Sequence, residues 1–344
     1  MKATYKKYIL DFKRPSGTSR GILNQKETWF LKIEEEQKVG IGECGILRGL
    51  SVDDRPDYEE NLKWACENIH LGEQTLYDRL VDFPSIQFGI EMAFKSFNAE
   101  KTFELFPSVF TSGQEGIAIN GLIWMGDISF MQDQITEKLE AGFDCIKMKI
   151  GAIDFEKEIS LLEGIRSKFS AEQITLRVDA NGAFKPSEAK NKLERLASLN
   201  LHSIEQPIKQ RQENEMASLC ENSTLPIALD EELIGVFGYA RQKTLLQQIK
   251  PQYIILKPSL IGGFRGCDSW IQLAEEQGIG WWITSALESN VGLNAIAQYT
   301  FTKNTTIPQG LGTGGLYTNN VSSPLEIKQG QLWYSQQQNW SFKF

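Results

Sequence analysis

The sequence predicts an α/β protein: a (β/α)7β barrel of the TIM-barrel type, with an α+β capping domain built from the N-terminal third and the C-terminal tail. Three observations carry this. Short apolar runs ending in a charged residue recur at Lys149, Asp179, Glu205, Asp230 and Lys257, every 25 to 30 residues, a period that suits one strand, one helix and two loops. Amphipathic segments with three-to-four spacing lie between them, such as Ile159, Leu162, Ile165 and Phe169. The first third reads differently, as strands followed by helices.

Taken in order, residues 1–12 and 20–44 read as strands. Thr28-Trp29-Phe30-Leu31-Lys32-Ile33 and Val39-Gly40-Ile41-Gly42-Glu43-Cys44 flank a charged turn as an antiparallel hairpin. Between the two stretches, Pro15-Ser16-Gly17-Thr18-Ser19-Arg20-Gly21 is rich in turn formers and is expected to be a mobile loop. From Tyr58 to about Lys101 the spacing is helical, through Leu62, Ala65, Cys66 and Ile69, then Ile86, Ile90, Ala93, Phe94 and Phe97. Strand-like runs follow at 117–123, 145–150, 174–179, 203–205, 226–230, 253–257 and 279–284. Such alternation implies parallel strands with right-handed crossovers. The run Leu332-Trp333-Tyr334 is expected to return to the first domain. The expected boundaries are 1–115 for the cap, 116–315 for the barrel and 316–344 for the returning segment.

Composition removes several classes. A net charge of −8, with no Lys/Arg cluster longer than two residues, argues against nucleic-acid binding. No apolar run reaches membrane-spanning length, and the N-terminus lacks the apolar core of a signal peptide. The five cysteines are scattered and lack C-x-x-C spacing, which argues for a reducing, cytoplasmic compartment and against a thiolate metal site. The expected partner is a small carboxylate rather than nucleic acid or membrane; the sequence sets no oligomeric state.

In a barrel of this kind the C-terminal strand ends form the active site, and the charged residues fall there. Lys147 and Lys149 are two apart on one strand and share a face. Adjacent ammonium groups are expected to depress each other's proton affinity, leaving one a usable base near neutral pH; a solvated edge strand would carry the same pair. Asp179, Glu205 and Asp230 would converge from three successive strands, and crowded carboxylates call for a cation. All-oxygen ligands point to Mg²⁺, with Mn²⁺ the other candidate, and away from zinc. Glu231 leaves the third ligand open; Asp230 is preferred because it ends the run Ile227-Ala228-Leu229. Lys257 would lie across the barrel from Lys149 as a second base or as an electrostatic cation. A divalent ion between two lysines suits loss of the proton next to a carboxylate.

This constellation, Lys147-x-Lys149, Asp179-Ala-Asn181, Glu205-Gln-Pro, Asp230-Glu and Lys257-Pro, resembles the enolase superfamily in its muconate-lactonizing subgroup, over essentially the whole chain. The resemblance, rather than these spacings, implies that Lys149 and Lys257 are the acid/base lysines and that Asp179, Glu205 and Asp230 bind Mg²⁺. A branch needing a barrel histidine as base is disfavoured, because His202 starts its strand and His70 lies in the cap.

The loops bear on the substrate. Ser285 and Ser289, with a helix N-terminus between them and Gly292, suit an anionic group. Gly310 to Gly315 fits G-x-G-x-x-G formally, yet neither a helix nor a following acid supports a dinucleotide site; backbone approach to substrate at Gly312 and Thr313 is the better reading. Dipeptide epimerases of the subgroup carry Asp-x-Asp there. Its absence favours an acidic substrate without an amine. Arg20 in the cap loop and the segment Ser285 to Gly292 resemble the o-succinylbenzoate synthase family. That implies dehydration of a cyclohexadiene carrying carboxylate, hydroxyl and succinyl groups, with Arg20, Lys147, Asn181, Ser285, Ser289, Gly312 and Thr313 as substrate-binding residues. An N-succinylamino acid racemase or another cycloisomerase using the same lysines is the enzyme alternative. A barrel that binds acids without turnover is the alternative of another class.

Overall fold

The computed structural model describes residues 1–18 and 21–344. Arg20 therefore lies outside the described residues. The cap begins with a three-stranded antiparallel meander, β1 (Lys2–Thr18), β2 (Gly21–Glu35) and β3 (Lys38–Gly45). Alternation along β2 explains its place. Trp29, Leu31 and Ile33 point into a cluster with the cap helices, while Phe30 joins the core of the barrel. The expected loop after residue 12 is corrected: the backbone of Ser16, Gly17 and Thr18 pairs with Leu23, Ile22 and Gly21, and the register shifts between Asp11 and Ser16. Pro15 falls at that irregularity, where its missing N–H costs no ladder bond.

Three helices cover the sheet, α1 (Tyr58–Glu67), α2 (Gly72–Arg79) and α3 (Pro84–Asn98). Helix α3 lies flush on β3. A Cβ at Gly42 would stand 2.0 Å from the Gly89 carbonyl oxygen, so the contact requires glycine.

Residues 117–123, expected as one strand, divide in two. β4 (Ile117–Ala118) pairs with the C-terminal hairpin, and β5 (Gly121–Ile123) is the first barrel strand. The chain changes partners between them: Ile119 N donates to Gly330 O and Asn120 N to Gln309 O. The barrel continues through α4 (Ile128–Glu140), β6 (Cys145–Lys149), α5 (Phe155–Arg166), β7 (Thr175–Asp179), α6 (Pro186–Ala197), β8 (Ser203–Glu205) and α7 (Glu213–Asn222). Then come β9 (Ile227–Leu229), α8 (Tyr239–Ile249), β10 (Tyr253–Leu256), α9 (Pro258–Ile261), α10 (Gly263–Glu276), β11 (Gly280–Ile283) and α11 (Asn290–Phe301). Strands β5 to β11 are parallel neighbours in chain order. An eighth segment closes the ring through single bridges, Thr284 with Gly310 and Gln309 with Ile119.

Below the charged strand ends, the barrel interior holds Ala228, Ile255 and Trp282, with the Arg177 guanidinium 4.1 Å from the Trp282 ring. The C-terminal hairpin, β12 (Leu325–Lys328) and β13 (Gln331–Tyr334), leads to a tail that returns to the cap. There Trp340 stacks on Phe103 at 4.1 Å and Phe342 meets Phe30 edge-on.

Two cap acids dock on barrel helices. Glu43 of β3 accepts from Ser289 N at 2.8 Å, Ser289 Oγ at 2.5 Å and Gly292 N at 2.7 Å, closing the start of α11. Glu91 of α3 accepts from Phe264 N and Arg265 N at the start of α10. Both use the unpaired N–H groups and positive end of a helix.

Candidate active site

Register builds the site. Lys149 is opposite Asp179, and Asp179 is opposite Glu205, so three neighbouring strands present these side chains at one level. Glu205 pairs with Ala228 and Ala228 with Tyr253. Asp230 and Lys257 therefore sit progressively further along, as the stagger of a closed barrel demands. Strands β6 and β10 are four positions apart in a ring of eight, which places Lys149 and Lys257 on opposite walls.

The charges alternate. Lys149 Nζ lies 3.0 Å from Asp179 Oδ2, and Lys147 Nζ lies 3.1 Å from the same oxygen. Lys147 also pairs closely with Glu205. Lys257 pairs closely with Asp230 and stands 4.0 Å from Glu205. Three lysines and three acids thus form one chain, each nine-tenths buried or close to it. The expected mutual depression of the lysines does not occur at Lys147. Burial opposes its charged form, but Asp179 and Glu205 outweigh that and hold the ammonium well above its usual value. Lys257 is raised likewise, burial being overcome by Asp230 and Glu205. Asp179 is driven far below the carboxylate range: burial raises it, but Lys147, Lys149 and Lys257 prevail.

Glu205 behaves differently. Burial and then the charge of Asp179 push it up to about 8, against the pull of Lys147. Among the described residues its Oε2 meets only the Lys147 ammonium, and its Oε1 has no cation nearer than Lys257 Nζ at 4.0 Å. Among the described residues no three His, Cys, Asp or Glu side chains are arranged to hold a metal ion, because lysines stand between the acids. The donor chemistry nevertheless fits a hard divalent cation: three buried carboxylates, one of them poorly satisfied.

The other expected residues divide. Asn181, with φ of 44°, donates from Nδ2 to Glu231 at 3.1 Å and accepts from Lys149 at 2.7 Å. It bridges the lysine to Glu231. Lys147, Asn181, Ser285, Gly312 and Thr313 all border a cavity of about 500 Å³ that also exposes Lys149 and Lys257. Ser289 does not border it; its hydroxyl is fully buried against Glu43. The expectation that the start of α11 receives the substrate's anionic group is corrected, since Glu43 already occupies those donors. Arg20 falls outside the described residues.

Sequence reasoning missed Trp124, whose ring lies 5.9 Å from Lys149 Nζ, and the buried acids Glu43 and Glu288. An acid at the end of the apolar run Val39 to Cys44 was the available signal for Glu43. The cap side of the cavity carries Leu23, Leu47 and Leu50 beside the basic side chains Lys13, Arg14 and Arg48.

Comparison with known proteins adds the following. Residues 131–338 match the family model described as enolase C-terminal domain-like, and residues 2–97 match the MenC N-terminal domain. The o-succinylbenzoate synthase of Desulfotalea psychrophila is 48% identical, over 96% of this chain and 98% of that protein. The crystal structure of MenC from that organism superposes with a TM-score of 0.86 at 44% identity, covering 97% and 99% of the two chains. The muconate lactonizing enzyme of Pseudomonas fluorescens, solved with muconolactone, shares the fold at a TM-score of 0.84 and 20% identity over 96% and 93% of the chains.

Proposed function

This chain belongs to the enolase superfamily, and from that membership, together with its MenC-type cap, we propose the reaction and the residues that follow. It is a hydro-lyase that converts 2-succinyl-6-hydroxy-2,4-cyclohexadiene-1-carboxylate to o-succinylbenzoate in menaquinone biosynthesis. The observation that carries the residue assignment is the alternating chain of three lysines and three acids in one cavity.

Asp179, Glu205 and Asp230 would hold Mg²⁺, as members of this superfamily generally do. Bound there, the ion supplies positive charge that stabilises the enediolate formed when the carbon next to the carboxylate loses its proton. Lys149 takes that proton, and must be neutral to do so. Asp179 at 3.0 Å and Asn181 at 2.7 Å fix its amine in place. The same lysine then protonates the departing hydroxyl on the same face, giving syn elimination. Lys257, on the opposite wall and held cationic by Asp230 and Glu205, stabilises the negative charge from the other ring face. The apolar side chains of Leu23, Leu47 and Leu50 cover the ring and limit water.

Steady-state assay of the purified protein on the cyclohexadiene acid and on N-succinylamino acids tests this. Dehydration is expected to dominate, and Lys149→Ala to retain under a few per cent of it. Dominant racemisation would overturn the reaction, and an active Lys149→Ala variant the assignment of the base.

A further inference from the structure

Two loops that border the cavity and the short helix α9 are joined by a run of hydroxyls that ends on a buried acid. Thr313 Oγ1 donates to Ser285 Oγ at 2.9 Å, and Ser285 Oγ donates to Glu288 Oε2 at 2.5 Å. The other oxygen of Glu288 accepts from Ser259 Oγ at 2.6 Å. Ser259 lies two residues after Lys257, Ser285 follows β11, and Thr313 follows the eighth segment. Glu288 is 1% exposed, and it does not border the cavity.

The direction of this run is fixed by chemistry. A carboxylate can only accept, so the protons of Ser259 and Ser285 are both committed to Glu288. With its proton given to Glu288, the Ser285 oxygen can only accept, from Leu287 N at 3.1 Å, Glu288 N at 3.4 Å and Thr313 Oγ1. Thr313 borders the cavity with its one proton already given away. What it offers inward is a lone pair.

We propose that Glu288 is a positioning residue that polarises the Thr313–Ser285 pair, so that Thr313 presents an acceptor oxygen to the cavity and receives the hydroxyl hydrogen of the substrate. This rests on the dehydration reading above, in which the substrate carries a hydroxyl and the product does not. The product has no hydroxyl to give this lone pair, so this corner of the site distinguishes the hydroxylated substrate from its aromatic product.

The test compares KM for the cyclohexadiene acid with the inhibition constant of o-succinylbenzoate, for the wild type, Thr313→Val, Thr313→Ser and Glu288→Gln. Thr313→Val is expected to raise KM about tenfold, in line with an unpaired buried hydrogen bond, with product affinity changed less than twofold. Thr313→Ser is expected to restore substrate binding. Glu288→Gln lets an amide donate to Ser285 and reverses the run, so KM rises while product affinity holds or improves. Equal loss of substrate and product affinity in Thr313→Val, or no loss of either, overturns this proposal and leaves the reaction standing. A wild type that cannot dehydrate the cyclohexadiene acid overturns both.

Discussion

The Glu91 carboxyl in α3 accepts a hydrogen bond from the backbone amide of Phe264 at 2.5 Å, so a cap side chain closes the start of a barrel helix. Burial pushes this group up to about 8, against the pull of the Phe264 and Arg265 amides. The two amides meet different oxygens, Phe264 N on Oε2 and Arg265 N on Oε1. An amide nitrogen cannot accept, so Glu91→Gln is expected to lose one of these bonds and Glu91→Ala both, the larger loss costing about 1–3 kcal/mol. Denaturant unfolding of the two variants beside the wild type checks this, and equal losses would contradict it.

The proposed mechanism gives Lys149 and Lys257 different duties, and arginine separates them. Lys257 would act through charge, so Lys257→Arg should keep more activity than Lys257→Ala, which is expected to fall about 10²–10³-fold. Lys149 must exchange a proton, and a guanidinium does not at neutral pH. Lys149→Arg should be as inactive as Lys149→Ala. The four rate constants, taken at saturating substrate, decide the matter.

Removal of divalent metal with a chelator is expected to abolish turnover, and Mg²⁺ to restore it. Asp230→Asn should raise the Mg²⁺ concentration for half-maximal activity by about tenfold or more, and Glu231→Gln by less. The opposite order would make Glu231 the third ligand and leave Asp230 as the partner of Lys257.

His202 sits at the start of β8, below the charged strand ends, its ring tilted against Tyr253 at 4.9 Å. Burial and then Arg177 lower it to about 4. As pH falls from about 6.5 toward 4, the unfolded chain takes up a proton that the folded one resists, so stability declines across that window. His202→Phe is expected to flatten the decline. Parallel melting curves from pH 7 to pH 4 for wild type and variant would rule this out.

How far the sequence could be read varied with distance along the chain. Lys149, Asp179 and Glu205 were legible because each ends a strand and neighbouring strands pair in register. The charge state of Lys147 was not, because its partners Asp179 and Glu205 come from other strands and only their convergence reverses the expected shift. The bond between Glu43 and Ser289 spans 246 positions, and no local pattern announces such a contact. The run from Ile117 to Ile123 reads as one strand because apolar content is blind to which neighbour each half will meet.

The occupation of α11 by Glu43 makes the cap a resident ligand of the barrel. The donors at Ser289 and Gly292 are the kind that other proteins keep open for phosphate or carboxylate. Here the polypeptide fills them itself, with Thr28 anchoring the acid from behind. Grafting this barrel's loops onto a relative, or this cap onto another barrel, must carry both halves of that bond together. A graft that leaves Glu43 behind would open a vacant seat for a small anion between cap and barrel.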